Sequence, residues 1–224
     1  MSLPTIAPYA VPGGDELPES KAAWTPDPDR AVLLVHDMQR YFIGAYQRGA
    51  EPLATVVPNI ARLCSTARER GIPVVYSAQP GDQRPGDRGL LTDLWGPGLR
   101  AVPEQESVIP ELAPQAGDVL LTKWRYSAFQ RTDLRERMRG WNRDQLVVTG
   151  VYAHLGCMLT AAEAFMQDVQ PFFAADAVAD FSADDHRLAV RYAAARCAVV
   201  TTTNALITEL SGTQGRQQWA HAAR

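Results

Sequence analysis

Six short apolar runs alternate with helical or irregular stretches along this chain, and that order constrains its fold more than any other feature. The runs are AVLLVHD (31–37), IPVVYSA (72–78), DVLLTK (118–123), QLVVTG (145–150), PFFAADAV (171–178) and CAVVTT (197–202). The first two are so continuously apolar that they read as strands buried on both faces, as the strands of a parallel sheet are. Between them, residues 54–70 set Val57, Ile60, Leu63, Cys64 and Ala67 on one helical face, and Gly71 stops the helix. Further helices are expected around 131–140 and over 156–168, 183–196 and 203–210. The alternation implies right-handed β-α-β crossovers. The expected fold is therefore α/β, a doubly wound six-stranded parallel sheet with helices on both faces.

Residues 79–117 interrupt the pattern. They carry six prolines and no long periodic element, yet include Trp95 and several leucines. A loop of that length in a compact domain is commonly functional. With 224 residues, 46% of them apolar and 21% charged, the chain suffices for one domain with a true core. The expected division is an irregular, proline-rich wrap over 1–30, the α/β domain over 31–210, and a polar tail over 211–224.

Charge and cysteine content narrow the partners. A net charge of −3 gives no broad electropositive face for nucleic acid. The opening MSLPTIAPYAVPGGDELPES lacks the basic and apolar regions of a signal peptide, and no run reaches the roughly 18 apolar residues of a membrane span. Three widely spaced cysteines, Cys64, Cys157 and Cys197, read as reduced thiols of a cytoplasmic protein. None of the four histidines belongs to an HExxH or CxxC-type cluster. His186 stands beside Asp184 and Asp185, and a solvated helix start explains SADDHR more simply than a metal does. No metal or cofactor is expected.

Ligands of doubly wound sheets bind beyond the C-terminal strand ends. That rule selects Asp37, Gln79, Lys123 and the Tyr152–Gly156 turn. Asp37 closes an apolar run, so it is either a partly desolvated proton-transfer group or a loop anchor. Lys123 pairs with it, holds an anion, or snorkels. Arg88, Arg125 and Tyr126 are candidates for carboxylate recognition, and Trp95 and Trp124 for cavity walls. At the fourth strand end two readings compete. Either Cys157 is a nucleophile acidified by a helix N-terminus, or the turn offers backbone N–H groups to an oxygen. GxGxxG after the first strand, GxxxxGK[ST] and GxSxG are all missing.

The segments LLVHDMQRYF, YSAQP, LLTDLWGPGL, TKWRYSAF, TGVYAHLGCM and PFFAADAVADFS together give the chain, over about residues 5–210, a specific resemblance to the isochorismatase-like hydrolase family. It resembles most the branch that cleaves vinyl ethers. In cysteine hydrolases of this family the fourth-strand motif ends in a nucleophilic cysteine. Here that position is Gly156, and Cys157 follows it. One residue further along a helix start points a side chain about 100° away, so Cys157 is expected to face packing. A non-proline cis peptide is implied at Val151–Tyr152.

The resemblance implies Asp37 as general acid and Lys123 as its catalytic partner. Phe42, Gln79, Arg88, Trp95, Tyr126, Tyr152 and Gly156 are the implied pocket residues. Arg88 and Lys123 would serve carboxylates, Tyr126 and Gln79 hydrogen-bond the substrate, and Trp95 close a lid. Gly156 would leave space for a pyruvyl group and its water. The implied substrate is a cyclohexadiene carboxylate bearing an enolpyruvyl ether. 2-Amino-2-deoxyisochorismate is placed first, giving pyruvate and trans-2,3-dihydro-3-hydroxyanthranilate in phenazine-type metabolism. Two features favour it: no carrier domain follows in 224 residues, and Arg40 follows Gln39 as in that branch. The alternatives are isochorismate, giving 2,3-dihydro-2,3-dihydroxybenzoate, and amide hydrolysis through Cys157. A homodimer is implied.

Overall fold

The computed structural model of the chain describes residues 3–212. All six expected strands form: β1 (Ala31–His36), β2 (Val74–Ala78), β3 (Val119–Thr122), β4 (Gln145–Val151), β5 (Gln170–Ala179) and β6 (Val199–Thr201). They make one parallel sheet in the order β3-β2-β1-β4-β5-β6. The strand order reverses between β1 and β4, and such a switch point leaves a crevice at the C-terminal strand ends.

Side-chain alternation along β1 explains the two cores. Ala31, Leu33 and Val35 face one side, where Val56, Ile60 and Leu63 of α2 (Leu53–Glu69) and Leu206 and Leu210 of the C-terminal helix (Thr203–Ser211) cover them. Val32 and Leu34 face the other side. There they meet Leu134 and Met138 of the helix Leu134–Gly140, Ala161 and Ala164 of the helix Met158–Met166, and Ala189 and Ala193 of the helix Ala183–Arg196. Phe172 and Phe173 of β5 are both fully buried, one in each core. Each such side chain contributes about 1.5–3 kcal/mol through burial. The helix Ala183–Arg196 has the expected limits because Ser182 caps it, its hydroxyl accepting from the Asp185 N–H at 3.1 Å.

Two stretches differ from expectation. A short α1 (Arg40–Ile43) follows β1, and residues 79–117 fold into the turns Pro85–Arg88, Leu91–Trp95, Pro103–Glu106 and Pro110–Leu112. Prolines at the first positions of three of these turns fix each start, and the turns are too short for a periodic pattern. Residues 3–30 cross the surface as a strap. The Ile6 N–H donates to the Ala45 carbonyl at 2.8 Å, and the Tyr9 hydroxyl accepts from the Asp180 N–H at 2.6 Å. The tail beyond 212 lies outside the described residues.

The end of β4 is the tightest point of the sheet. Gly150 has φ +108° and lies opposite His36 of β1, and a Cβ there would collide with the His36 backbone. Gly150→Ala is expected to cost about 2–5 kcal/mol, combining overpacking with an unfavourable backbone conformation. Urea denaturation checks this; a parent-like midpoint would show that the two strands separate enough to admit a methyl group.

Candidate active site

The sheet brings the ends of β1, β2 and β3 side by side, and Asp37, Gln79 and Lys123 follow them directly. Asp37 has φ +49°, a conformation that Asp tolerates better than most residues. It turns the carboxylate back over the sheet. Oδ1 accepts from the Ser77 hydroxyl at 2.7 Å, and Oδ2 accepts from the Gln79 side-chain amide at 3.2 Å. Lys123 Nζ stands 2.9 Å from Oδ2, with both side chains at most 5% exposed. Burial alone would push the Asp37 carboxyl up. The Lys123 ammonium, His36 and the Ser77 hydroxyl outweigh it, and the net shift is below the usual carboxylate range.

The Lys123 ammonium is held on its other side by its own loop. It donates to the Arg125 carbonyl at 2.6 Å and more weakly to the Tyr126 carbonyl at 3.5 Å. One of its three protons is thus only loosely committed.

All nine residues expected at the pocket line one cavity. Arg88 is 4% exposed; its Nε donates to the Gly96 carbonyl at 2.5 Å, and its Nη1 has no hydrogen-bond partner. A buried guanidinium nitrogen without a partner is costly unless an anion completes it. Trp95 donates its indole N–H to the Tyr126 hydroxyl at 2.6 Å, fixing the lid turn to the loop after β3. Tyr152 donates to the Phe42 carbonyl at 3.2 Å and meets the Phe42 ring edge-on at 6.0 Å.

The turn after β4 has the cis peptide Val151–Tyr152 and then a single wide turn, Ala153–Cys157. Cys157 is fully buried in the core on the α6 side, where α6 denotes the helix Leu134–Gly140, and its Sγ faces the Thr149 carbonyl at 3.8 Å. Burial pushes its thiol well above the ordinary range. It does not line the cavity. Gly156 does, but the space beside it is filled: a Cβ there would fall within the imidazole of His36. The expectation that Gly156 leaves room for a pyruvyl group is corrected on this point. The room is taken by a ring from β1.

Other expectations change as well. Trp124 lies outside the cavity, with Arg131 over its ring at 5.1 Å. Arg125 lines the cavity but ties the Asp87 carbonyl, at 2.7 Å, to the loop after β3. Arg40, the sequence mark of the phenazine-like branch, is exposed and lies outside the cavity. His186 is not solvated: it is buried, with Nε2 2.9 Å from the Ala175 carbonyl and Nδ1 3.2 Å from the Tyr9 hydroxyl. Asp185 instead approaches His154 and Asp180.

Sequence reasoning missed Phe181, which stacks between Tyr152 at 4.1 Å and Trp95 at 5.9 Å. It follows β5, and the strand-end rule would have found it had the rule been carried past the fourth strand. Leu3 and Leu99 also line the cavity, and no periodic signal marked either.

Comparison with known proteins fits this geometry. The Isochorismatase domain model matches residues 31–205. This chain belongs to the isochorismatase family. The protein is a hydrolase of that family, 54% identical over 210 residues to the isochorismatase of Bacillus subtilis, a match covering 94% of this chain and 67% of the relative. It is 50% identical to the phenazine biosynthesis protein PhzD of Pseudomonas fluorescens, over 92% and 98% of the two chains. Among solved structures it is similar to a cysteine hydrolase from Pseudomonas syringae pv. phaseolicola, with TM-score 0.77, 28% identity and coverage of 87% and 97%. Another is the N-carbamoylsarcosine amidase of Thermoplasma acidophilum, with TM-score 0.65, 29% identity and coverage of 78% and 97%.

Proposed function

We propose that this hydrolase cleaves the enolpyruvyl vinyl ether of 2-amino-2-deoxyisochorismate, releasing pyruvate and trans-2,3-dihydro-3-hydroxyanthranilate. One observation carries the choice of chemistry. A buried Asp–Lys pair faces the cavity, and among the described residues no cysteine lines it. A vinyl ether offers no carbonyl to a nucleophile; its slow step is protonation of the terminal methylene carbon.

In this reading Asp37 delivers that proton and an oxocarbenium ion forms. Water adds to it, and the hemiketal collapses to pyruvate and the ring alcohol, returning a proton. The regenerated Asp37 carboxylate then lies beside the Lys123 ammonium and the cation-like centre. Arg88, with Nη1 unpartnered, takes a substrate carboxylate, and Lys123 supports it with its loosely committed proton. Phe42, Tyr152, Phe181 and Trp95 form an apolar wall that keeps bulk water from the cation.

Isochorismate is the second reading, favoured by the 54% identity to the Bacillus subtilis isochorismatase. It differs from the first substrate by one hydroxyl in place of an ammonium. The ratio of kcat/KM for the two decides between them. Pyruvate release from both, with no ammonia from simple amides, tests the reaction class. Asp37→Asn is expected to lose about 10²–10⁴-fold in kcat with the fold retained. Cys157→Ala is expected to stay within about twofold of the parent, as packing rather than chemistry governs that residue. A folded but inactive Cys157→Ala enzyme, or an active Asp37→Asn enzyme, would overturn the assignment.

The pH profile follows from the sign of the Asp37 shift. A carboxyl held below its usual range is ionised in the free enzyme at neutral pH, while the donor must be protonated. On this reading kcat/KM rises as pH falls from 8 toward 5, approaching tenfold per unit. A flat profile over that range would assign the proton to a source other than Asp37.

No helix among the described residues is long and apolar enough to cross a membrane. Three buried, unbridged cysteines suit a reducing cytoplasm, where we place the protein. We also infer a homodimer, which the resemblance implies. A sedimentation mass of one chain would exclude it.

A further inference from the structure

Among the polar side chains around the cavity, His36 touches no substrate in the chemistry above and stands 3.8 Å from Asp37 Oδ1 through Nδ1, yet it is among the most enclosed. It ends β1 and is 1% exposed. Its ring is held from two directions. Nδ1 lies 2.8 Å from the Val151 carbonyl at the end of β4, and Nε2 lies 3.2 Å from the Tyr126 carbonyl in the loop after β3. Both carbonyls belong to segments that line the cavity.

The ring also fills a particular volume. An ideal Cβ built on Gly156 would lie against Cε1, 2.6 Å from Nε2 and 2.9 Å from Nδ1. Real Cβ atoms do not approach ring atoms so closely, so one of the two must give way. The buried ring is neutral and donates its one N–H to one of these carbonyls, and it cannot swing aside without abandoning that bond in a closely packed interior.

We propose that His36 is a positioning residue that commits this site to proton-transfer hydrolysis, by occupying the volume that any side chain at position 156 would need. A thiol at 156 and an imidazole at 36 are alternative occupants of one space beside Asp37 and Lys123. The same ring packs between the Val151 and Tyr126 carbonyls, donating to one of them, and so spaces the turn after β4 from the loop that carries Lys123. The inference deepens the proton-transfer reading and rests on it only for naming the chemistry excluded.

Stability and thiol reactivity test it, and neither uses turnover. The proposal can therefore fail while the Asp37 assignment stands, and the reverse. Gly156→Ala is expected to lower Tm by roughly 5–10 °C, the scale of an overpacked methyl in a chain this long. His36→Ala lowers Tm by opening a cavity. The double variant His36→Ala/Gly156→Ala is expected to be no less stable than His36→Ala alone, because the methyl then has room. A methyl that costs the same in both backgrounds, or nothing in the parent, would overturn the proposal.

The second readout is iodoacetamide alkylation, located by peptide mapping. In His36→Ala/Gly156→Cys the new thiol is expected to react at neutral pH at least tenfold faster than in Gly156→Cys alone. Equal rates in the two backgrounds would count against His36. If Gly156→Cys folds only once His36 is removed, the shared volume is demonstrated directly. If no substitution at 156 folds in either background, the backbone of the turn and not the ring rejects the side chain, and the proposal fails.

Discussion

The buried ion pair between Asp37 and Lys123 is the interaction on which the rest of the site depends. Two charges at 2.9 Å with almost no solvent are expensive to assemble, and removing one partner strands the other. The fold offsets that cost with neutral groups from three adjacent strands. β1 supplies Asp37, the β2 end supplies the Ser77 hydroxyl and the Gln79 amide, and the loop after β3 supplies two carbonyls to the ammonium. The strand order β3-β2-β1 is what makes these groups neighbours. The sheet is therefore more than a support: its order assembles the pair.

The space beside the pair decides what chemistry it serves. Structures similar to this one include a cysteine hydrolase and an amidase, at 28% and 29% identity. Here the corresponding turn holds a glycine, and the neighbouring thiol lies in the opposite core with its pKa raised by burial. An imidazole fills the remaining volume. A cavity left empty at that point would cost stability in proportion to its size, so a ring that fills it and donates its one N–H to a neighbouring carbonyl avoids that cost.

Much of this was legible in the chain. Alternating apolar runs imply a parallel sheet, and the strand-end rule alone places Asp37, Gln79 and Lys123 together. The packing role of Cys157 follows from the family resemblance, which sets Gly156 at the nucleophile position, joined to the 100° step of a helix. What was not legible has physical reasons. The short turns within 79–117 carry too few residues for a period, so Arg88 and Trp95 were selected by resemblance and not by pattern. Leu3 reaches the cavity through a strap whose path is set by single contacts such as Ile6 with Ala45. His36 was passed over because it sits inside an apolar strand, where a histidine reads as filler. Its role appears only when the distance to Gly156, 120 residues away in the chain, is known.

The downward shift of Asp37 makes its protonated form scarce, whereas burial alone would raise the carboxyl. Scarcity is one side of the balance that governs general acids. A lower pKa makes the protonated form scarcer but a stronger acid, and the catalytic rate follows the product of the two. Protonating a carbon is demanding, so donor strength matters. In the proposed reaction the proton leaves Asp37 at the moment a cation forms, and the carboxylate left behind regains its pairing with the Lys123 ammonium. The interactions that depress the pKa in the resting site are therefore those that favour the charge distribution after transfer. An ion pair that looks like a structural anchor in the free enzyme becomes, in the transition state, a pairing that is re-formed, and part of the cost of a scarce protonated form is regained as acid strength.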